Sequence, residues 1–126
     1  MSQFKAKAQG ATYGYGYNLY LSAPPAQPPV NVGRLTRPAG TVVLADAAQV
    51  NTWQAPASPA NPMLEEWYYV DKSTNQPNGH FRHAHKAQAA FCDGHVAPEA
   101  PVPGSLDPRM PGQFVGRLRP EILTPP

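Results

Sequence analysis

Residues 80–98 read HFRHAHKAQAAFCDGHVAP, and this stretch decides how the middle of the chain folds. Asp93-Gly94 is flanked by apolar residues, a pattern typical of a two-residue type I′ hairpin turn. Residues 87–92 would enter this turn and residues 95–96 would leave it. We therefore predict a β-hairpin in which His95 lies across from Cys92 and Gly94 has a positive φ.

The same stretch contains all four histidines of the chain. On an extended segment, His83 and His85 place both imidazoles on one side, about 7 Å apart at Cα, which suits two ligands of one ion. Asp93 and His95 have the same spacing around the turn, and Asp46 ends a short apolar segment elsewhere. The sequence thus indicates a site in which the candidate metal ligands are Asp46, His83, His85, Asp93 and His95.

The ligand type decides which ion such a site would hold. Carboxylates with backbone carbonyls favour Ca²⁺, whereas imidazoles favour Zn²⁺, and no organic cofactor is indicated. A second interpretation stays open, because His-x-His alone is a weak signal. In that interpretation His80 and His85 are solvated loop residues, and Asp93 only accepts hydrogen bonds from the amides of its own turn.

Composition predicts one small domain made mainly of strands. The 126 residues include 17 prolines and 10 glycines, and proline is excluded from helix interiors. Aromatic and small residues alternate with a period of two in residues 12–21, where the glycines would let a neighbouring segment approach closely. Because Leu, Ile and Val are sparse, we expect Tyr and Trp to fill the interior. Besides the hairpin, strands are predicted at 12–21, 41–46, 64–70 and, as an edge strand, 113–118.

Charge and hydropathy exclude several classes of protein. The net charge is +2 and the basic residues are scattered, so no nucleic-acid partner is indicated. No apolar run reaches 18 residues, so no membrane span is predicted in this chain. The single cysteine, Cys92, cannot form an intramolecular disulfide. Packing in a strand is favoured over a nucleophilic pair with His95, since no oxyanion hole is evident.

Three segments, in order along residues 12–98, carry a resemblance to a known family. His83 is followed by nine residues and then Asp93-Gly94; residues 13–18 read YGYGYN, and residues 41–46 read TVVLAD. Together these resemble the bacterial prepilin-type processing-associated proteins with a His-nine-residue-Asp-Gly motif. The resemblance implies an α+β, pilin-like fold with a helix on an antiparallel β-sheet, and export to the periplasm or the cell exterior.

The resemblance also implies how the chain is organised. Residues 1–98 would form a pseudopilin-like head in which residues 1–11 are a short helix stub, and residues 99–126 would be a proline-rich extension. Family members begin with a basic leader and a long hydrophobic helix, which this chain lacks, so we expect the soluble head alone. Its role would be structural, in a type II secretion or type IV pilus-related system, with other pilin-like subunits as partners.

A catalytic alternative uses the same residues. A divalent ion held by them would activate water to hydrolyse a small ester or lactone, for example a quorum-sensing acyl-homoserine lactone. His83, Asp93 and His95 would then be catalytic, and only Glu65 and Glu66 are in reserve as a general base. We favour the structural hypothesis, in which Asp46, His83, Asp93 and His95 form a polar knot that joins two hairpins.

Overall fold

A computed structural model describes residues 14–21 and 31–124. Within these ranges the helical segments are single 3-10 turns at Val32–Arg34, Pro38–Gly40, Pro111–Gln113 and Pro120–Ile122, and none is long and apolar enough to cross a membrane. The predicted helix stub at residues 1–11 lies outside the described ranges. The strands are β1 Tyr15–Asn18, β2 Val42–Asp46, β3 Gln49–Asn51, β4 Met63–Glu65, β5 Tyr69–Val70, β6 Gly79–His80, β7 Ala87–Phe91, β8 Val96–Glu99 and β9 Val115–Gly116.

The main sheet has five strands in the order β5-β1-β2-β7-β8. All neighbours in it are antiparallel except β5 and β1, which are parallel. Two further ribbons pair β3 with β4 and β6 with β9. The predicted β-rich fold is therefore confirmed for the described residues, whereas the helical part of the α+β prediction falls on residues outside them.

Close packing explains the glycines of the aromatic strand. A Cβ added to Gly16 would lie 2.7 Å from the Cβ of Ala47 and 2.8 Å from the carbonyl carbon of Tyr69. Real Cβ atoms do not approach so closely, so only glycine allows β1 to lie against both neighbours. The period-two pattern thus predicted the strand and the close approach correctly.

The hairpin forms, but its turn differs from the prediction. Gly94 has the expected positive φ of 95°, whereas Asp93 does not have a positive φ, so the turn is not type I′. The Phe91 carbonyl accepts from the Gly94 amide at 2.9 Å, and the Phe91 amide donates to the His95 carbonyl at 2.8 Å. These bonds define a three-residue loop with a left-handed glycine.

This loop changes which residues face each other. The predicted pairing of Cys92 with His95 is wrong, because the Cys92 amide donates to the Thr41 carbonyl beside β2 at 2.8 Å. Phe91 takes the position opposite His95, and their rings stack with centroids 4.5 Å apart.

The core lies on the inner side of the main sheet and uses residues from both ends of the chain. Asn18 in β1 donates to the carbonyls of Val42 and Leu123, both at 2.8 Å. The predicted boundary at residue 98 falls inside β8, and the predicted edge strand shortens to β9. Segments on both sides of that boundary meet in the cluster formed by Val42, Ala45, Ala47, Val70, Phe81, Ala87, Ala89, Phe91, Leu118, Ile122 and Leu123.

The expectation that Tyr and Trp fill the interior is wrong for several of them. Tyr15 and Tyr68 are 60% and 66% exposed, and Tyr17, Tyr69 and Trp53 are also exposed. Side chains alternate across a strand, and in β1 it is Gly16 and Asn18 that point inward. Alanine, valine, leucine, isoleucine and phenylalanine fill the space beneath the sheet instead.

Candidate functional site

Asp46, at the end of β2, is the centre of a buried polar network. Its side chain has no solvent exposure. Arg82 Nη2 donates to Asp46 Oδ1 at 2.7 Å, the Gln88 amide donates to Oδ2 at 2.8 Å, and His83 Nε2 lies 3.2 Å from Oδ2. Both carboxylate oxygens therefore have partners, and the guanidinium balances the buried charge.

Arg82 extends this network to His80. Its Nη2 also donates to the Gly14 carbonyl at 3.1 Å, and its Nη1 donates to His80 Nδ1 at 3.0 Å. Since Nδ1 accepts, Nε2 carries the proton and donates to the Gln113 carbonyl at 3.0 Å. The Asp46 network, formed by Asp46, Arg82 and His80, thus joins β2, β6, the residue before β1 and the 3-10 turn at Pro111–Gln113.

His80 is held neutral. Burial lowers its pKa from 6.5 to about 4, and the positive charge of Arg82 acts in the same direction. The expectation that His80 is a solvated loop residue is wrong, because it is only 4% exposed. A charged imidazole here would lie against the guanidinium, so the neutral ring is the form that suits the site.

The motif's Asp93 forms a second, exposed contact with His95. His95 Nδ1 donates to Asp93 Oδ1 at 2.5 Å, and the His95 amide donates to the same oxygen at 3.1 Å. The hydrogen bond from that amide, followed by the one from the ring, lowers the pKa of Asp93. Both side chains are substantially solvent-exposed, at 36% and 43%, so water competes with this pair.

The two pairs lie at opposite ends of the β2–β7 ladder. The Gln88 amide meets Asp46 at one end, and the Cys92 amide meets Thr41 at the other. Five residue steps from Thr41 to Asp46 separate these ends by about 17 Å. The structure therefore brings His83 to Asp46 and His95 to Asp93, but it does not bring the two aspartates together at one end of a strand.

The described residues do not gather the candidate metal ligands into one group. Within residues 14–21 and 31–124, no group of three or more His, Cys, Asp or Glu side chains lies close enough to hold one. Oδ1 of Asp46 is occupied by the guanidinium of Arg82, whose positive charge would repel a cation. His85 faces elsewhere and stacks on Phe114, with ring centroids 4.2 Å apart.

Arg82 is the functional residue that the sequence interpretation missed. A buried strand that ends in Asp requires a cation or several hydrogen-bond donors as partners. This requirement, together with the lack of a lysine or arginine on β2 itself, indicated that a basic residue from elsewhere in the chain would pair with Asp46. Which of the ten basic residues would supply the charge was not visible, because residues 46 and 82 are 36 positions apart.

A groove lies against the His80 side of the Asp46 network. Its volume is about 620 Å³, and it is lined by His80, Phe81, Arg82, Ala84, His85, Gly112, Gln113 and Phe114. Ala84, His85 and Phe114 have φ values of 52°, 64° and 54°, and they are the non-glycine residues of the described ranges with positive φ. All three line this groove, so the unfavourable backbone conformations of the described chain are concentrated here.

Cys92 is not an activated nucleophile. Burial raises the pKa of its thiol, and the negative charge of Asp93 acts in the same direction. Since the thiolate is the reactive form, this environment opposes nucleophilic catalysis. The interpretation of Cys92 as a packed residue agrees with its partial burial.

The chain matches no protein-family model, no curated protein and no solved structure. What it does is therefore inferred from the geometry of its own residues and from the resemblance of its motif.

Proposed function

We propose that this chain is the structural head of an exported, pseudopilin-like subunit in a type II secretion or type IV pilus-related system. The contacts of Asp46 are the observation that favours a structural role over a catalytic one. This aspartate ends the strand that resembles the family's own, and both its oxygens hold protein groups. The proposal includes a pilin-like α+β fold, with the helix supplied by residues 1–11, and a periplasmic or extracellular location.

Complete pairing of the polar groups supports a structural role. No buried side-chain nitrogen or oxygen in the described part of the chain lacks a hydrogen-bond partner. A catalytic carboxylate or imidazole needs a free lone pair or proton directed at a substrate. Asp46 and His80 are buried instead, and Arg82, the Gln88 amide and the Gln113 carbonyl engage them. A hydrogen-bonded network of this kind stiffens a small core.

Exposed tyrosines on the sheet support an assembly role. Tyr15, Tyr17 and Tyr69 are exposed, and Tyr17 pairs directly with Tyr69 across β1 and β5. We call these three residues the tyrosine face. Tyrosine is enriched in protein interfaces because its ring is apolar and its hydroxyl tolerates water. In the proposal this face contacts other pilin-like subunits.

The test is site-specific photo-crosslinking of the protein in its native cells. A benzophenone amino acid replaces Tyr17, and a control places it at Glu121, which is exposed in the C-terminal 3-10 turn. We expect adducts with pilin-like subunits from position 17 but not from position 121, in the fraction outside the cytoplasm. Recovery of the protein in the cytoplasm, or no adduct from position 17, would contradict the proposal.

A second assay addresses the hydrolase alternative, in which His83, Asp93 and His95 would be catalytic. The purified protein is incubated with p-nitrophenyl acetate and with an acyl-homoserine lactone, before and after chelation. We expect no turnover above buffer. Turnover that chelation abolishes and Zn²⁺ or Ca²⁺ restores would overturn the structural proposal.

A further inference from the structure

Two tight turns build the wall of the groove beside His80. Ala84 and His85 have positive φ as the two central residues of a turn closed by both backbone hydrogen bonds between His83 and Lys86. Phe114 has a left-handed conformation at the end of the 3-10 turn Pro111–Gln113. These turns place the rings of His85 and Phe114 against each other on one wall of the groove.

One wall of the groove carries hydrogen-bond donors that suit an anion. Arg82 lines it, and no Asp or Glu side chain does. Three of the five N–H groups of Arg82 bond to His80, Gly14 and Asp46. Its Nε–H and the second Nη1–H have no hydrogen-bond partner among residues 14–21 and 31–124, and its side chain is 21% exposed. These two donors are available to an acceptor in the groove.

The other wall fits a planar apolar group. His85 is exposed and stacks on Phe114 with an interplanar angle of 20°, so the pair forms a flat aromatic shelf. Phe81 and Ala84 add apolar surface to the same groove. An aromatic ring packs well against such a shelf, in an offset or tilted arrangement.

We propose that this groove binds a carboxylate borne next to an aromatic ring. The carboxylate accepts hydrogen bonds from the free N–H groups of Arg82, and the ring packs on the shelf of His85 and Phe114. Two sources present this chemistry: a free aromatic acid, and a peptide with an acidic residue beside an aromatic one. The inference does not depend on the proposed assembly role, since it rests on the groove alone.

The first test is a titration followed by ¹H–¹⁵N correlation spectra of the full chain. The probes are benzoate, benzamide as its neutral analogue, and acetate as the carboxylate without a ring. We expect millimolar binding of benzoate, at least about tenfold tighter than of either control, since each control lacks one of the two contacts. The shifted amides should lie in residues 80–85 and 112–114. Equal binding of benzoate and benzamide, or shifts elsewhere, would overturn the proposal.

The second test compares two variants that leave the Asp46 network intact. His85→Ala removes the shelf, and His95→Ala removes the other exposed histidine that stacks on a phenylalanine. We expect His85→Ala to weaken benzoate binding at least about fivefold and His95→Ala to leave it unchanged. Unchanged affinity in His85→Ala, with its spectrum otherwise native, would contradict the inference.

A final arm identifies the source of the ligand. An acetylated, amidated Phe-Glu dipeptide is titrated beside Phe-Gln, its neutral counterpart. Tighter binding of Phe-Glu than of benzoate supports the site with a protein segment as ligand. Tighter binding of benzoate than of Phe-Glu supports it with a free acid. Equal binding of Phe-Glu and Phe-Gln would contradict the role of the carboxylate.

Discussion

The two ends of the β2–β7 ladder each join an aspartate to a histidine, but in opposite surroundings. Asp46 is fully buried, with Arg82 and a backbone amide on its oxygens. Asp93 is 36% exposed and bonds within its own turn. A buried charge has lost its hydration and depends on its partners, whereas an exposed charge keeps water as an alternative. Similar residue pairs therefore have unequal effects on stability.

The largest effect should follow from removing the charge at the buried end. Asp46→Asn leaves the charge of Arg82 without its counter-ion, and we expect the free energy of unfolding to fall by about 3 to 5 kcal/mol. Urea unfolding measures this loss of free energy. Arg82→Gln added to Asp46→Asn should recover part of the loss, because no unpaired charge remains. A loss under about 1 kcal/mol in the single variant would mean that the two ends do not differ.

As pH falls, the buried end of the ladder should lose stability at a higher pH than the exposed end. The pKa of His80 falls from 6.5 in the unfolded chain to about 4 in the folded one, so between these values the unfolded state binds the extra proton. Stability is complete above the upper value and is lost as pH decreases towards the lower one, by about 3 kcal/mol in all. The charges of Arg82 and His83 depress this pKa, and Asp46 opposes them.

Melting curves between these pH values measure the slope, and His80→Gln should flatten it because the imidazole whose pKa folding lowers is removed. The lowered pKa of Asp93 acts only in stronger acid, below its ordinary value of 3.8, since its contribution is present above that value. Stability that stays constant in the wild-type chain between pH 6.5 and 4 would contradict the neutral, buried His80.

A smaller effect should come from the backbone of the exposed end. Gly94 has φ of 95°, and no atom lies within 4 Å of a Cβ added there, so a substitution is opposed by backbone strain alone. Gly94→Val should lower the free energy of unfolding by about 1 to 2 kcal/mol, and Gly94→Asn by less, because Asn tolerates this region. Urea unfolding of both variants separates strain from contact. Equal losses would mean that the turn conformation is not the cause.

The smallest effect is expected for the side chains of the exposed pair. Asp93→Asn and His95→Ala should unfold at the same urea concentration as the wild type at neutral pH, since both side chains reach water. The Asn side-chain oxygen can still accept the hydrogen bond from the His95 amide. A loss of unfolding free energy as large as that of Asp46→Asn would mean that the two ends of the ladder contribute equally to stability.

Local patterns in the sequence determined where two strands and the hairpin lie, whereas the single strand predicted at 64–70 is divided between β4 and β5, which belong to different sheets. Alternation in residues 12–21 and the apolar run at 41–46 predicted β1 and β2, and Asp93-Gly94 predicted the hairpin with a left-handed Gly94. These features arise between residues close in the chain, so each stretch carries its own signal. The turn type was missed, and the Cys92 amide donates instead to the Thr41 carbonyl just before β2, a contact between distant residues that no local pattern shows.

The tertiary structure alone decided which polar groups meet. His80 is buried and neutral, Arg82 rather than Asp93 partners Asp46, and Tyr15 and Tyr17 face outward. Asp46 and Arg82 are 36 residues apart, so their contact depends on the order of the strands in the sheet and on their register. A sequence states which side chains carry charge. Only packing removes water from some of them, and that loss of hydration makes Asp46 depend on Arg82 and the Gln88 amide, whereas Asp93 keeps water as a partner.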